Sequence, residues 1–349
     1  METKVIAIDH NAIAEEILKQ AGQVIKEGGL VAFPTETVYG LGGDALNKDS
    51  SGKIYSAKGR PSDNPLIVHI SKMEDLAPIV KEIPEIAYRL AEAFWPGPLT
   101  MIFHKSELVP EETTGGLDTV AVRMPSHPVA LKFIEYAGGY VAAPSANISG
   151  RPSPTKAKYV IEDMDGRIDM ILDGDGIEIG LESTIVDLTG DVPMILRPGY
   201  ITLEMLEKVL GEVETDKTIL DINCKEPPKA PGMRYRHYAP KGQLTIVEGE
   251  EEKTVEKINE LIREARLKGE KTGVIGTEET KERYLGDSIK SVGKRKDEEA
   301  IARTLYTLLR EFDEEGVTVI YSESFSDGSM GQAIMNRLLK AAGHSIIYV

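Results

Sequence analysis

The chain has one cysteine, Cys224, and one tryptophan among its 349 residues. A single thiol excludes an internal disulfide and any zinc site built from several cysteines. No apolar run approaches the roughly 20 residues that cross a bilayer. The opening Met1-Glu2-Thr3-Lys4 lacks the charged-then-apolar profile of a secretory signal. A cytoplasmic protein without membrane association is expected. Positive charge is scarce as well, with 41 Lys and Arg against 57 Asp and Glu and a formal net charge of −16. That balance argues against stable nonspecific binding of nucleic acid, which rests on phosphate neutralisation by Lys and Arg. Familiar catalytic signatures are missing too. There is no nucleophile elbow, no pair of helical histidines and no Walker loop, and Gly40-Leu41-Gly42-Gly43 is not a dinucleotide fingerprint. Asp173-Gly174-Asp175-Gly176 lacks the later acidic ligands of a calcium loop and reads as a turn.

What is present is ordinary globular composition, 41% hydrophobic and 28% charged, over a length that favours two domains. Residues 1–211 read as one α/β domain with mixed strand directions. Ile13, Ile17, Ala21, Val24 and Ile25 recur at helical spacing after Asn11, and Gly28-Gly29 stops the helix. Strand patterns follow at 30–33, 66–70, 99–103, 119–124, 140–143, 184–188 and 192–196, and Gly40, Gly42 and Gly43 are taken as a glycine loop. Helices are expected at 86–94, from Pro128 to the Gly138-Gly139 stop, and from Thr202 to Gly211. Residues 212–240 form a proline-stiffened linker rich in cations and aromatics, a composition suited to contact with a base or phosphate. It is expected to fold over the first domain's cavity as a lid. Residues 241–349 alternate strands and helices, as a smaller sheet with parallel crossovers would.

Two segments stand out chemically. Lys58-Gly59-Arg60-Pro61-Ser62-Asp63-Asn64-Pro65 packs two cations, a hydroxyl and an amide into a Gly/Pro-shaped turn before an apolar strand. Pro144-Ser145-Ala146-Asn147-Ile148-Ser149-Gly150 leaves a small strand and presents serines and an asparagine. Donor-loaded loops at strand ends are where a scaffold grips a polar ligand, and an acidic protein that keeps its cations in loops points to a small anionic one. Lysine meets phosphate as a point charge and arginine as a two-pronged fork. His69 taken alone reads as a core histidine, and Ser145 and Asn147 as turn caps. Cations, hydroxyls and amides without a covalent nucleophile suit phosphoryl or nucleotidyl transfer.

Phe33-Pro34-Thr35-Glu36-Thr37-Val38-Tyr39-Gly40-Leu41, Lys58-x-Arg60, Pro96-Gly97-Pro98-Leu99-Thr100 and Ser145-x-Asn147, in that order, resemble the YrdC-like family. The extra C-terminal region and Pro231-Gly232-Met233-Arg234-Tyr235-Arg236-His237-Tyr238 resemble its longer, two-domain form. The resemblance implies a twisted mixed sheet with helices, joined to a smaller Rossmann-like α/β domain. It implies an enzyme that joins L-threonine, bicarbonate and ATP into L-threonylcarbamoyl-AMP and pyrophosphate. Mg2+ would accompany ATP, with no organic cofactor, and the product would pass to the machinery that transfers threonylcarbamoyl groups to tRNA. Carried over by position, Lys58 and Arg60 would be catalytic and would face the nucleotide. Ser62, Thr119, Ser145, Asn147, Ser153, Arg197, Tyr235, Arg236 and His237 would also contact ATP. Thr35, His69, Arg123, Ala143 and Ser183 would surround threonine, with Arg123 on its carboxylate. Two rivals stand beside this reading: a double-stranded RNA-binding module, which the net charge disfavours, and an acyl-adenylate synthase for another amino acid.

Overall fold

Short β-branched runs punctuated by glycine and proline build most of the first half of the chain. The computed structural model describes residues 2–9, 12, 14–174, 177–219, 237–325 and 328–349. Two compact units result, one of Met1–Ser149 with Ser153–Arg234 and one of Gly150–Pro152 with Tyr235–Val349. The first begins with β1 (Lys4–Ile8), α1 (Glu15–Lys26), β2 (Val31–Phe33), β3 (Gly40–Asp44), α2 (Lys48–Lys58) and β4 (Ile67–His69). It continues with α3 (Glu85–Phe94), β5 (Leu99–His104), α4 (Glu111–Thr114), β6 (Thr119–Arg123), α5 (Pro128–Tyr136) and β7 (Val141–Ala142). Then come α6 (Ala157–Met164), β8 (Met170–Gly174), β9 (Thr184–Asp187), β10 (Met194–Arg197), α7 (Leu203–Leu210) and β11 (Glu214–Thr215). Ile13 and Asn11, expected to start the first helix, lie outside the described residues.

The strands form one mixed sheet in the order β1-β8-β2-β3-β7-β4-β6-β5-β9-β10-β11. Successive side chains alternate between its faces. On one face Val68, Met101 and Val122 join Ile54 of α2, Leu90 of α3 and Val160 of α6 in the largest core. On the other, α1 and α5 cover Val31, Phe33, Val141 and Leu172. Further along that second face lies a small apolar cluster, Ile67, Ile102, Ala121, Ile185 and Leu196. The polar site lies beside it.

Two expectations change here. Gly40, Gly42 and Gly43 belong to β3, antiparallel to β2, and not to a loop. A Cβ at Gly42 would stand 2.8 Å from Val141 Cγ1, and one at Gly43 3.0 Å from Ile54 Cδ1. The glycines are there because both faces of this strand are crowded. Asp173 and Gly174, expected in a turn, end β8 and pair with β1, while Asp175 and Gly176 lie outside the described residues.

The second unit holds β12 (Gln243–Glu248), α8 (Glu251–Leu267), β13 (Thr272–Gly276), β14 (Ser288–Ser291), α9 (Glu298–Glu314), β15 (Val319–Glu323), α10 (Gly331–Ala341) and β16 (Ile346–Tyr348). Its sheet runs β14-β13-β15-β12-β16 with every pairing parallel, so helices must carry the crossovers. Asp297 caps α9 by accepting from Ala300 N, and Ile301, Leu305, Leu309 and Phe312 point inward.

Candidate active site

Helix α2 ends because Gly59 takes a left-handed conformation (φ 60°), which glycine adopts without a Cβ penalty. That stop aims Lys58 inward, where it is 1% exposed. Its ammonium donates to the carbonyls of Ser145 and Asn147, the latter at 2.6 Å, and approaches Asn147 Oδ1 at 3.5 Å. Ser149 N donates back to the Lys58 carbonyl at 2.9 Å. The two chemically conspicuous segments of the sequence are thus laced together across almost 90 residues, a pairing that spacing alone does not reveal. Within its own loop Arg60 donates to the carbonyls of Asn64 (3.3 Å) and Pro65 (3.0 Å). Ser62 sits exposed on the same loop.

The second set of residues is aligned by strand register. His69 of β4 pairs with Arg123 of β6, Arg123 with Thr100 of β5, Thr100 with Ile185 of β9, and Ile185 with Arg197 of β10. Register partners share a face, so His69, Arg123, Thr100 and Arg197 stand in one row spanning roughly 19 Å at the usual strand spacing. Thr119 lies on the same face of β6 as Arg123, at the start of the strand, and is half-buried. Ser183 is fully buried between Thr100, the strand neighbour of Arg123, and Arg197. Its Oγ lies 2.7 Å from Thr100 Oγ1 and accepts from Arg197 at 3.1 Å, while Arg197 Nε donates to the Ser183 carbonyl at 3.1 Å. Ser153 donates to Glu182 Oε1 at 2.5 Å, both buried. Ala143 is buried and its N–H donates to the Ile67 carbonyl at 2.9 Å, leaving it beside the row.

At the near end of the row Arg123 is held from three sides. It donates to Glu36 Oε1 at 2.6 Å, to Thr37 Oγ1 at 2.9 Å and to the Gly97 carbonyl at 3.4 Å. The Glu36–Arg123 pair is almost wholly buried, with 5% of each side chain exposed. Thr35 Oγ1 donates to the Val38 carbonyl at 2.6 Å and receives the Thr37 and Val38 N–H groups at 3.2 Å. Its hydroxyl proton is therefore committed to the loop, and Thr37 is the donor in the 2.9 Å contact between the two hydroxyls. Burial pushes the His69 pKa down to about 3, and the neighbouring Arg123 cation adds to the effect against the pull of the Ile67 and Val141 carbonyls. The ring is neutral at physiological pH. Nδ1 lies 3.1 Å from the Ile67 carbonyl oxygen and so carries the proton, leaving Nε2 as an acceptor.

His237 falls in the second unit, its ring 5.5 Å from that of Tyr238. Tyr235 and Arg236 lie outside the described residues, together with 220–234 of the expected linker. Sequence reasoning passed over Glu36, Thr37, Thr100 and Glu182 as site members. The first two sit inside the Phe33–Leu41 signature, and a carboxylate three residues past a buried strand with no local counter-charge was the available signal. Thr100 closes the Pro96–Thr100 signature segment, while Glu182 offered no signal, because a long-range hydrogen bond brings it in.

A family model described as "Telomere recombination", covering the Sua5, YciO and YrdC proteins, matches residues 23–199. A second, described as "Threonylcarbamoyl-AMP synthase, C-terminal domain", matches residues 201–343. Threonylcarbamoyl-AMP synthase of Pyrococcus abyssi is 50% identical over 97% of this chain and 97% of its own, and that of Bacillus subtilis is 50% identical over 95% and 94%. The crystal structure of P. abyssi Sua5 complexed with L-threonine superposes with a TM-score of 0.94 at 49% identity, covering 99% of this chain and 100% of that one. Escherichia coli YciO shares the fold of the first unit, with a TM-score of 0.52 at 22% identity over 57% of this chain and 96% of its own. With nearly full-length identity of one residue in two, an ordered set of signature segments and the matching pair of family models, the chain belongs to the two-domain Sua5 branch of the YrdC-like family, the threonylcarbamoyl-AMP synthases.

Proposed function

We propose that the buried row from His69 to Arg197, with the loops laced by Lys58, makes L-threonylcarbamoyl-AMP and pyrophosphate from L-threonine, bicarbonate and ATP. The observation that carries this reading is the register row itself. It sets a neutral His69 beside Arg123 at one end, Arg197 at the other, and the Thr100–Ser183 hydroxyl pair between the two arginines. The threonine amine forms a bond to the bicarbonate carbon and water leaves, giving a carbamate. A carbamate oxygen then bonds to the α-phosphorus of ATP while the bond to pyrophosphate breaks. Charge accumulates on the phosphoryl oxygens in that step, and preorganised donors stabilise it without reorganising.

We assign the His69 end to threonine. A carboxylate would meet Arg123, and the threonine hydroxyl can donate to His69 Nε2. Thr35, Ala143 and Ser183 line the same subsite, Thr35 by holding its loop, since its own hydroxyl proton is committed. ATP is assigned to Lys58, Arg60, Ser62, Thr119, Ser145, Asn147, Ser153 and Arg197. Lys58 acts by drawing the Ser145–Asn147 loop into place as well as by its charge. Among the described residues no three His, Cys, Asp or Glu side chains cluster as a metal cage. Mg2+ would arrive on the ATP phosphates, where magnesium commonly keeps few protein ligands. Its chemistry there would be charge neutralisation. No helix among the described residues is long and apolar enough to cross a membrane. The product, a reactive mixed anhydride, would be consumed by the enzymes that place threonylcarbamoyl groups on tRNA.

Pyrophosphate release by the purified chain tests the reading. It should require threonine, bicarbonate and ATP with magnesium, and labelled bicarbonate should appear in the adenylate by mass spectrometry. Equal release with serine or with no amino acid would sink it.

A further inference from the structure

Glu36 sits in the loop after β2 and is 3% exposed. Only one of its carboxylate oxygens is used, Oε1, which accepts from Arg123 at 2.6 Å. Oε2 is buried and has no hydrogen-bond donor among the described residues. A charged oxygen in that position is costly, and native proteins seldom leave one without a reason. Arg123 is underused in the same way. Of the five N–H groups a guanidinium carries, three are spent, on Glu36, Thr37 and Gly97. One N–H on each terminal nitrogen is left, the number of donors that a bidentate carboxylate contact takes.

The unused groups are complementary to a zwitterion. We propose that Glu36 completes the amino-acid subsite: Arg123 takes the threonine carboxylate with its two uncommitted N–H groups, and Glu36 Oε2 accepts a hydrogen bond from the threonine α-ammonium. Rotation about the last torsion of a glutamate is soft, so Oε2 can turn to a ligand while Oε1 keeps Arg123. The pairing explains why the buried cation that binds a carboxylate is itself partnered by a carboxylate. Arg123 alone would favour any small acid, whereas the pair demands an amine beside the acid. The inference rests on threonine being the substrate, and it names the residue that distinguishes an amino acid from a hydroxy acid.

Calorimetric binding to the full chain tests it, using L-threonine and (R)-3-hydroxybutanoate, which is threonine without its amine. Wild-type protein should bind threonine at least 10-fold more tightly, as a charge-assisted hydrogen bond implies. In Glu36→Gln, which keeps an acceptor for Arg123, threonine affinity should fall 10-fold or more while 3-hydroxybutanoate affinity changes less than about 3-fold. Equal losses for both ligands would mean that Glu36 acts only through Arg123, and no loss for threonine would remove it from the subsite. Either result overturns the proposal. The wild-type comparison stands even if the variant fails to fold, because equal affinities for the two ligands would overturn it as well. Failure of the underlying function is read separately, as wild-type protein that binds no threonine or releases no pyrophosphate with it.

Discussion

Acidifying the solution from pH 7 to 4.5 should destabilise the first unit largely through one buried ring. His69 is 4% exposed, and its pKa falls from the ordinary 6.5 to about 3 because burial, and then Arg123, disfavour the imidazolium. The unfolded chain therefore binds a proton over that window and the folded chain does not. The stability held by the neutral ring is fully present above about pH 6.5 and is lost progressively as the pH falls toward 3. At pH 4.5 the deficit from this residue is roughly 2 to 3 kcal/mol relative to pH 7, a large share of a typical domain's stability. Trp95 is the single tryptophan, lies in the first unit, is 7% exposed and donates to the Leu99 carbonyl at 2.7 Å. Urea unfolding followed by its fluorescence consequently reports on this unit. His69→Asn keeps a donor near Nδ1 but does not titrate. Its stability should fall less steeply over the same range, by roughly 2 to 3 kcal/mol at pH 4.5. Parallel pH profiles for the two proteins would show that His69 is not buried neutral, and would remove Nε2 as an acceptor for the threonine hydroxyl.

Lys58→Met keeps the stem but leaves the Ser145 and Asn147 carbonyls short of a donor. It should cost about 1 to 3 kcal/mol in urea unfolding and slow pyrophosphate release about 100-fold or more; wild-type turnover would take Lys58 out of the site. This loss of stability runs against the expectation for a loop charge, and follows from the burial of the side chain at the end of α2. Gly22 lets α1 approach α5, since a Cβ there would stand 2.5 Å from the Tyr136 carbonyl carbon. Gly22→Ala should therefore destabilise by about 1 to 3 kcal/mol despite the better helix propensity of alanine, and a raised urea midpoint would contradict that close packing.

Sequence by itself determined the elements whose signals are local. Thr202 caps α7 by accepting from Met205 N, and Pro128 opens α5, as their positions dictate. Asp297 starts α9 where the 3.6-residue spacing of Ile301, Leu305, Leu308 and Phe312 begins. The parallel sheet of the second unit follows from strands and helices in alternation, because parallel neighbours need crossovers. Signature segments carried Thr35, Lys58, Arg60, Ser145 and Asn147, whereas His69, Arg123 and Arg197 of the row lie on strands outside those segments. Tertiary structure alone decided what depends on partners distant in sequence. Three glycines became a strand because Phe33, Val141 and Ile54 fill the space around them. Lys58 became a buried strut because Ser145 and Asn147 face it with their carbonyls. Glu36 lies in a polar loop, and only the tertiary fold that sets Arg123 beside it buries its carboxylate. Local pattern sets which backbone conformation a segment prefers; long-range pairing sets which side chains meet, and the chemistry of this site depends on the meeting.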